Sequence, residues 1–222
     1  MKGEKEQLIE RMAEMTLLDG GNFVGELKGD VPHGQGSCVW PDGSSYEGEW
    51  RSGKMHGKGS FQSGQHTYVG VFFKGVPEGK GRFVTKLGRG ELVYEGELMQ
   101  GEPDGEGSEK LPNGDEYVGE FSVGRRHGFG RLKTQRGDVY EGQWHEGQPH
   151  GEGKCLYADG SIYHGMLDKA VAHGQGLYQV SNGNKLLGEF DGGASNGSGW
   201  GARDFPIGDK YVGDMIKGTP DG

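Results

Sequence analysis

The segment from Tyr140 to Ile162 starts over at Tyr163, and this recurrence constrains the fold more than any other feature of the chain. Tyr140-Glu-Gly142-Gln-Trp144 is followed by Gly147, then by His150-Gly151-Glu-Gly153, then by Asp159-Gly160. The order is aromatic, Gly, large apolar, Gly, His-Gly-x-Gly, Asp-Gly. Aligned on the first aromatic, it restarts at Phe23, Tyr46, Tyr68, Tyr94, Tyr117, Tyr140, Tyr163, Leu186 and Tyr211, at intervals of 23, 22, 26, 23, 23, 23, 23 and 25. A fixed period of this size is the mark of an array built from one supersecondary unit. We read eight full units and a ninth cut short at Gly222.

Composition then decides between order and disorder. Gly is 48 of 222 residues and hydrophobic residues are 31%, too little apolar volume for an ordinary two-layer core. Unpatterned, such a sequence would be disordered. Here the glycines fall at fixed offsets beside aromatics, as in a sheet of many tight turns.

Within each unit the first aromatic, the Gly two on and the large apolar residue four on share one face of a strand, because side chains alternate across a strand. Glu47, Glu49 and their equivalents take the other face. A turn follows around Gly53-Lys-Met-His56-Gly57, and Gly59, Phe61 and Ser63 begin a second alternating strand. Asp42-Gly43, Asn113-Gly114, Asp159-Gly160 and Asn182-Gly183 supply the second turn, since these dipeptides adopt positive φ at little cost. The expected fold is all-β: stacked hairpins in an elongated, twisted, single-layer antiparallel sheet that advances roughly 10 Å per repeat. Neighbouring hairpins cover one another's apolar faces.

Residues 1–15 stand outside the array. Leu8, Ile9, Met12 and Met15 among Glu, Lys and Arg suit a short amphipathic helix capping the first edge strand. The array is expected over 16–222, opening with a half unit, because Asp19-Gly20 precedes Phe23 as Asp42-Gly43 precedes Tyr46. Two units depart from the pattern. The third is longer by three residues, with Lys86-Leu-Gly88-Arg89-Gly90-Glu91-Leu92 read as a tolerated longer turn, and the eighth carries Leu186 for Tyr and Asn196 for His.

The pattern Tyr-x-Gly-x-Trp followed by Gly-x-x-His-Gly-x-Gly resembles the MORN repeat (membrane occupation and recognition nexus). Tyr46-Glu-Gly48-Glu-Trp50 with Gly53-Lys-Met-His56-Gly57-Lys-Gly59, and the corresponding run from Tyr140 to Gly153, carry the resemblance most closely. It implies β-hairpin arrays that act as scaffolds or protein-binding surfaces, often in cytoskeletal and ciliary or flagellar structures such as radial spokes. It does not imply dependable membrane binding.

Several motifs look like chemistry and reduce to repeat grammar. Gly48-Glu-Trp-Arg-Ser-Gly53-Lys54 has phosphate-loop spacing but puts Met55 where the magnesium-binding hydroxyl belongs. His33, His56, His127, His150 and His173 share one repeat position, but a pitch of roughly 10 Å keeps neighbours from sharing a zinc whose ligands sit near 2 Å. A turn role, with the imidazole bonding to backbone, is expected instead. His145-Glu146 with His150 lacks the spacing of a zinc-protease helix. Cys38 and Cys155 fall five repeats apart, beyond disulfide reach. No catalytic constellation, cofactor or metal is expected, so the chain reads as non-enzymatic.

The formal charge of -9 opposes nucleic acid as a partner and weakens a generic anionic-membrane role. With no signal-like segment in the first residues, no disulfide framework and no long apolar run, we expect a cytoplasmic protein. The expected function is a scaffold or adaptor that binds protein partners, with homodimers through the array ends as a further route. The expected binding face is the aromatic stripe Tyr46, Trp50, Tyr68, Phe72, Tyr94, Tyr117, Phe121, Tyr140, Trp144 and Tyr163, since exposed apolar stripes rich in Tyr and Trp mark interaction sites. The alternative is a phosphoinositide or membrane-surface adaptor using Arg125, Arg126, His127, Arg131 and Lys133, or Lys80, Arg82, Lys86 and Arg89.

Overall fold

The computed structural model describes residues 10–190, 198–204, 210–216 and 219–220, with side-chain surroundings from Met12 to Phe190. Every regular element among them is a strand. The chain divides into two compact units, Met1–Pro112 and Asn113–Gly222.

The first unit runs β1 (Glu10–Thr16), β2 (Asn22–Lys28), β3 (Val31–Val39), β4 (Ser45–Arg51), β5 (Lys54–Ser63), β6 (His66–Phe73), β7 (Val76–Leu87), β8 (Gly90–Met99) and β9 (Glu102–Lys110). Each strand pairs antiparallel with the next from β1 to β9. The second unit runs β10 (Glu116–Ser122), β11 (Arg125–Lys133), β12 (Val139–His145), β13 (Gln148–Leu156), β14 (Ile162–Asp168), β15 (Val171–Gln179), β16 (Lys185–Phe190), β17 (Ser198–Asp204), β18 (Lys210–Ile216) and β19 (Thr219–Pro220), again pairing in sequence order. Each unit is therefore an open antiparallel meander of hairpins, as the period predicts.

Two kinds of turn alternate. The first is a two-residue connection such as Ser52-Gly53 or Lys74-Gly75, with φ of 52° and 77°, then 52° and 94°. Positive φ at both central residues matches the right-handed twist of the flanking strands. The second is the Asp-Gly type. Around Asp42-Gly43, Trp40 N donates to Ser44 O and Gly43 N to Trp40 O, while Asp42 Oδ1 accepts from both Ser44 N (2.9 Å) and Ser44 Oγ (2.6 Å). Asp159 and Ser161 repeat this arrangement in the second unit.

A bulge inside each hairpin explains the His-Gly-x-Gly motif. In β4 and β5 Gly48 faces Gly59 and Trp50 faces Met55, so the register shifts between them. Tyr46 Oη donates to the carbonyls of Glu49 (2.8 Å) and His56 (3.2 Å), and the Glu49 carboxylate accepts Lys58 N at 2.9 Å. Gly57 sits at φ +54 with that carboxylate where a Cβ would be, and Gly59 lies under the Tyr46 ring at 2.4–2.5 Å from the same hypothetical atom. Both glycines are fixed by close approach rather than by turn formation alone. The later repeats reuse the device: Glu120 Oε1 accepts Phe129 N (2.7 Å), Gln143 Oε1 accepts Glu152 N (3.1 Å), and Tyr117, Tyr140 and Tyr163 donate to the carbonyls three residues on.

Two expectations change. The helix expected over residues 1–15 is a strand from Glu10 onward, since β1 pairs with β2 residue for residue from Glu10↔Lys28 to Thr16↔Asn22; residues 1–9 lie outside those described. Hydrogen bonding to an open sheet edge outweighs the weak helical pattern of Met12 and Met15. The Leu17–Gly21 turn closes as the Trp40–Ser44 turn does, with Leu17 N donating to Gly21 O and Gly20 N to Leu17 O, so the half unit begins one strand earlier. The insertion in the third repeat is not a longer turn either. Pairing of β7 with β8 continues to Leu87↔Gly90, leaving Gly88-Arg89 as a tight turn at the end of an extended hairpin.

Candidate functional site

One face of each sheet carries the aromatics, and it is the core. The ten side chains expected to form an exposed binding stripe are all buried, between 0% and 7% exposed. Tyr46, Trp50, Tyr68, Phe72 and Tyr94 belong to the first unit, and Tyr117, Phe121, Tyr140, Trp144 and Tyr163 to the second. Their rings meet edge to face: Phe23 with Trp50 at 5.0 Å, Tyr46 with Trp50 at 5.3 Å and with Phe72 at 5.0 Å, Tyr117 with Trp144 at 4.9 Å, and Tyr163 with Phe190 at 5.3 Å. Trp50 Nε1 donates to Gly36 O at 3.0 Å and Trp144 Nε1 to Gly130 O at 3.1 Å. A single layer can bury these rings because each tyrosine lies flat on a Gly–Gly pair and the next repeat's large residue closes over it. Burial drives the phenols of Tyr46, Tyr94 and Tyr163 up to about 12.

Apolar groups left to solvent lie on the opposite face. In β6 the pattern alternates, with Tyr68 and Phe72 buried and Val69, Val71 and Phe73 exposed. Phe73 faces Val76 across the Lys74-Gly75 turn and is 51% exposed. A cavity of about 580 Å³ opens beside it, lined by Arg51, Ser52, Lys54, His56, Phe73 and Lys74, with no carboxylate in its wall. The His56 ring stands 5.6 Å from that of Phe73, and Lys74 Nζ lies 5.1 Å from the Phe73 centroid. On the same face a shallow depression of about 600 Å³ is floored by Gly48, Gly59 and Gly70 and edged by Val69, Val71, Lys58, Lys80 and the carboxylate of Glu47. Valines and a phenylalanine beside Arg51, Lys54 and Lys74 make a compact surface suited to a partner that is both apolar and acidic.

The basic clusters weighed for lipid fare differently. Arg82 Nε donates to Glu95 Oε1 at 2.6 Å, Lys80 stands opposite Glu97 and Lys86 opposite Glu91, so β8 answers the cations of β7 with carboxylates. Arg126 lies 4.8 Å over Tyr117 and 5.4 Å from the centre of Trp144, stacked on the core face. Arg131 stands opposite Glu141. Of the cluster on β11 only Arg126 leaves for the core face; Arg125, His127, Arg131 and Lys133 stay on the exposed one.

In the histidine ladder, His56, His127 and His150 turn toward side chains of the next hairpin. Three of its five members meet the residue that ends the first strand of a neighbouring hairpin: His56 meets Phe73, His127 meets His145 at 5.5 Å, and His150 Nδ1 lies 3.3 Å from Asp168 Oδ1. Cys38 and Cys155 are both free and fall in different units. Burial pushes the Cys38 thiol up to about 11, with a further upward push from Asp19, so it is a poor nucleophile. No group of three or more His, Cys, Asp or Glu side chains converges as a metal cage among the described residues, and no helix there is long and apolar enough to cross a membrane.

Comparison with known proteins agrees with the repeat reading. No curated protein is significantly similar to the chain. Among solved structures, a mutant of the TCP10 domain of Danio rerio CPAP is similar over 92% of this chain and 99% of that one, at 12% identity and a TM-score of 0.47. A catalytically inactive virginiamycin B lyase from Staphylococcus aureus, with quinupristin, aligns over 96% of this chain and 76% of that one, at 15% identity and a TM-score of 0.17. At those scores neither carries weight. The MORN repeat does match, seven times, over residues 23–45, 46–67, 68–85, 94–116, 117–139, 140–162 and 163–185. The matches stop short of the unit at Leu186 and skip 86–93, where the third hairpin is extended. With more than half of its length matched by this non-catalytic interaction repeat, the chain belongs to the MORN-repeat family.

Proposed function

We propose that the protein is a non-enzymatic scaffold that holds protein partners on the outer face of its first unit. The observation that carries this reading is the exposed Val69, Val71, Phe73 and Val76 strip beside a cavity walled by Arg51, Lys54, His56 and Lys74. An apolar strip framed by cations recognises an acidic segment bearing an apolar or aromatic anchor: the anchor supplies affinity on Phe73, and the charges supply steering and register.

The test is fluorescence polarisation with labelled peptides that place an apolar residue among Asp and Glu, titrated with the full chain. Phe73→Ser should weaken binding about tenfold or more, the loss expected at a central anchor. Lys54→Glu with Lys74→Glu should weaken it and flatten its salt dependence. Undiminished binding by both variants would remove the strip from the account. Sedimentation with anionic vesicles separates the lipid reading: salt-sensitive pelleting abolished by the same charge reversals would make this a membrane surface instead. Membership of a cytoskeletal or ciliary assembly rests on the family resemblance, and detergent extraction of source cells tests it, a soluble protein counting against it.

A further inference from the structure

We infer that the cavity beside Phe73 takes a phosphorylated tyrosine of a partner protein, which rests on the docking reading above and names the group that anchors there. Two hairpins build the cavity. β4 and β5 with their turn supply Arg51, Ser52, Lys54 and His56, and the end of β6 supplies Phe73 and Lys74. Gly75 N donates to Met55 O at 2.8 Å and ties the turn of the second hairpin to the first. The volume of about 580 Å³ is that of a small-ligand pocket.

The repeat supplies its own comparison. Around the sixth repeat the same cavity recurs, lined by His145, Glu146, Gln148, His150, Asp168 and Lys169, with Ala170 N donating to Pro149 O at 2.9 Å in the equivalent tie. The backbone matches, Ser52 standing at φ 52° and Glu146 at φ 48°. The side chains do not. Glu146 replaces Ser52, Gln148 replaces Lys54 and Asp168 replaces Phe73, so the second cavity answers its own charge, and Asp168 Oδ1 lies 3.3 Å from His150 Nδ1. The first cavity has no carboxylate in its wall, and among the described residues none pairs with Arg51, Lys54 or Lys74. Glu49, two residues before Arg51, is engaged with Lys58 N at 2.9 Å. In a chain of net charge -9, three cations left unneutralised around one cavity select a concentrated negative charge.

A phosphate concentrates charge better than Asp or Glu, with about -1.5 to -2 at neutral pH and three acceptor oxygens. The planar fork of Arg51 suits two of those oxygens, Lys54 and Lys74 act as point charges, and the Ser52 hydroxyl can donate. The rest of the wall is aromatic: the His56 ring stands 5.6 Å from the exposed Phe73 ring at 49°, and Lys74 Nζ lies 5.1 Å from the Phe73 centroid. A tyrosine ring packs against such a wall, whereas phosphoserine and a lipid headgroup bring phosphate without an arene.

The experiment is fluorescence polarisation of the full chain with one acidic peptide sequence carrying tyrosine, phosphoserine or phosphotyrosine at its centre. The phosphotyrosine peptide should bind about tenfold or more tighter than either other. Arg51→Lys should weaken that peptide about threefold or more while leaving the tyrosine peptide unchanged, because the charge stays and the fork is lost. Ser52→Glu places a residue that the same backbone already carries at Glu146, so the fold is retained, and phosphotyrosine binding should fall about tenfold or more. Binding of the tyrosine peptide with no gain from phosphate would overturn the pocket and leave the docking reading standing; binding of no peptide would remove both. Equal affinity for phosphoserine and phosphotyrosine would overturn the aromatic selection. Pelleting with phosphatidylcholine vesicles containing phosphatidylinositol phosphate, lost in Ser52→Glu and competing with the phosphotyrosine peptide, would overturn the protein partner in favour of a membrane.

Discussion

Replacing Trp144 by Ala separates a core role for the aromatic stripe from a docking role. Trp144 is 3% exposed, meets Tyr117 at 4.9 Å and Tyr140 at 5.3 Å edge to face, and donates its indole N–H to Gly130 O at 3.1 Å. Truncating a buried Trp to Ala costs about 3–5 kcal/mol in transfer and cavity terms. Two aromatic pairs at about 0.5–1.5 kcal/mol each and a hydrogen bond near 1 kcal/mol place this site in the upper half of that range. Trp144→Phe keeps a ring, as Phe121 does at the same repeat position, and should cost about 1–2 kcal/mol, mostly the indole hydrogen bond and lost area. Phe129→Ala is the control: the ring is 62% exposed on the outer face, so its removal should stay within about 0.5 kcal/mol. Urea unfolding followed by far-ultraviolet circular dichroism reads all three. A Trp144→Ala variant losing less than about 1 kcal/mol, or no more than Phe129→Ala, would refute the assignment of this face to the core.

Gly153→Ala places a Cβ 2.4 Å from Tyr140 Cε2, whereas Gly147→Ala meets nothing within 4 Å and bears only the strain of φ +84; thermal melts should show the first well below the second, which loses about 1–2 kcal/mol. Glu120→Ala should cost about 1 kcal/mol by leaving Phe129 N without its acceptor, while Glu120→Gln should recover most of it, because Gln143 does that task one repeat later. The phenols of Tyr46, Tyr94 and Tyr163 are raised to about 12, so their contribution to stability is complete below pH 10 and is lost as pH rises through 12; absorbance at alkaline pH should show them ionising together with unfolding. Asp42 and Asp159 titrate below the usual carboxylate range because Ser44 and Ser161 donate to them; their contribution is present above about pH 4 and fades as pH falls further, and Asp42→Asn should flatten that acid limb.

Backbone architecture was legible because each repeat states its own alternation and turns. Tyr46, Gly48 and Trp50 on one face, Asp42-Gly43 at the connection, and the half unit before Phe23 all follow from period two and turn chemistry. What the sequence could not reveal was which face water sees. Pattern alone gives a single layer no means to hide ten aromatics, yet Gly48 and Gly59 let the Tyr46 ring lie on the backbone, which is a matter of cross-strand registry rather than of pattern along one strand. Registry also decided the basic clusters: Arg82 and Glu95 are thirteen residues apart and form an ion pair, while Arg51 and Lys74 come from different repeats and share a cavity. The strand at Glu10–Thr16 escaped detection because its alternation is weak and its support comes from the edge of β2.

The repeat divides its positions between two tasks, and that division locates specificity. Tyrosine, the paired glycines and the large apolar residue must recur, because each ring, its Gly–Gly floor and the carbonyl it bonds form one interlocking piece. The residue between that second Gly and the large apolar position is under a weaker rule. Glu49, Glu120 and Gln143 use it to cap a backbone N–H, yet Val71 and Met166 stand at the same place and forgo the cap. A repeat that gives up a hydrogen bond worth about 1 kcal/mol gains an exposed apolar group there. Val71 does this beside Val69 and Phe73, in the one hairpin among the described residues whose outer strand residues are apolar at three successive alternate positions. That concession has no use in the core, which lies on the other face. Restoring the cap with Val71→Glu should therefore raise stability while weakening capture of an acidic partner, and a variant that gained stability without losing binding would show that the strip serves something else.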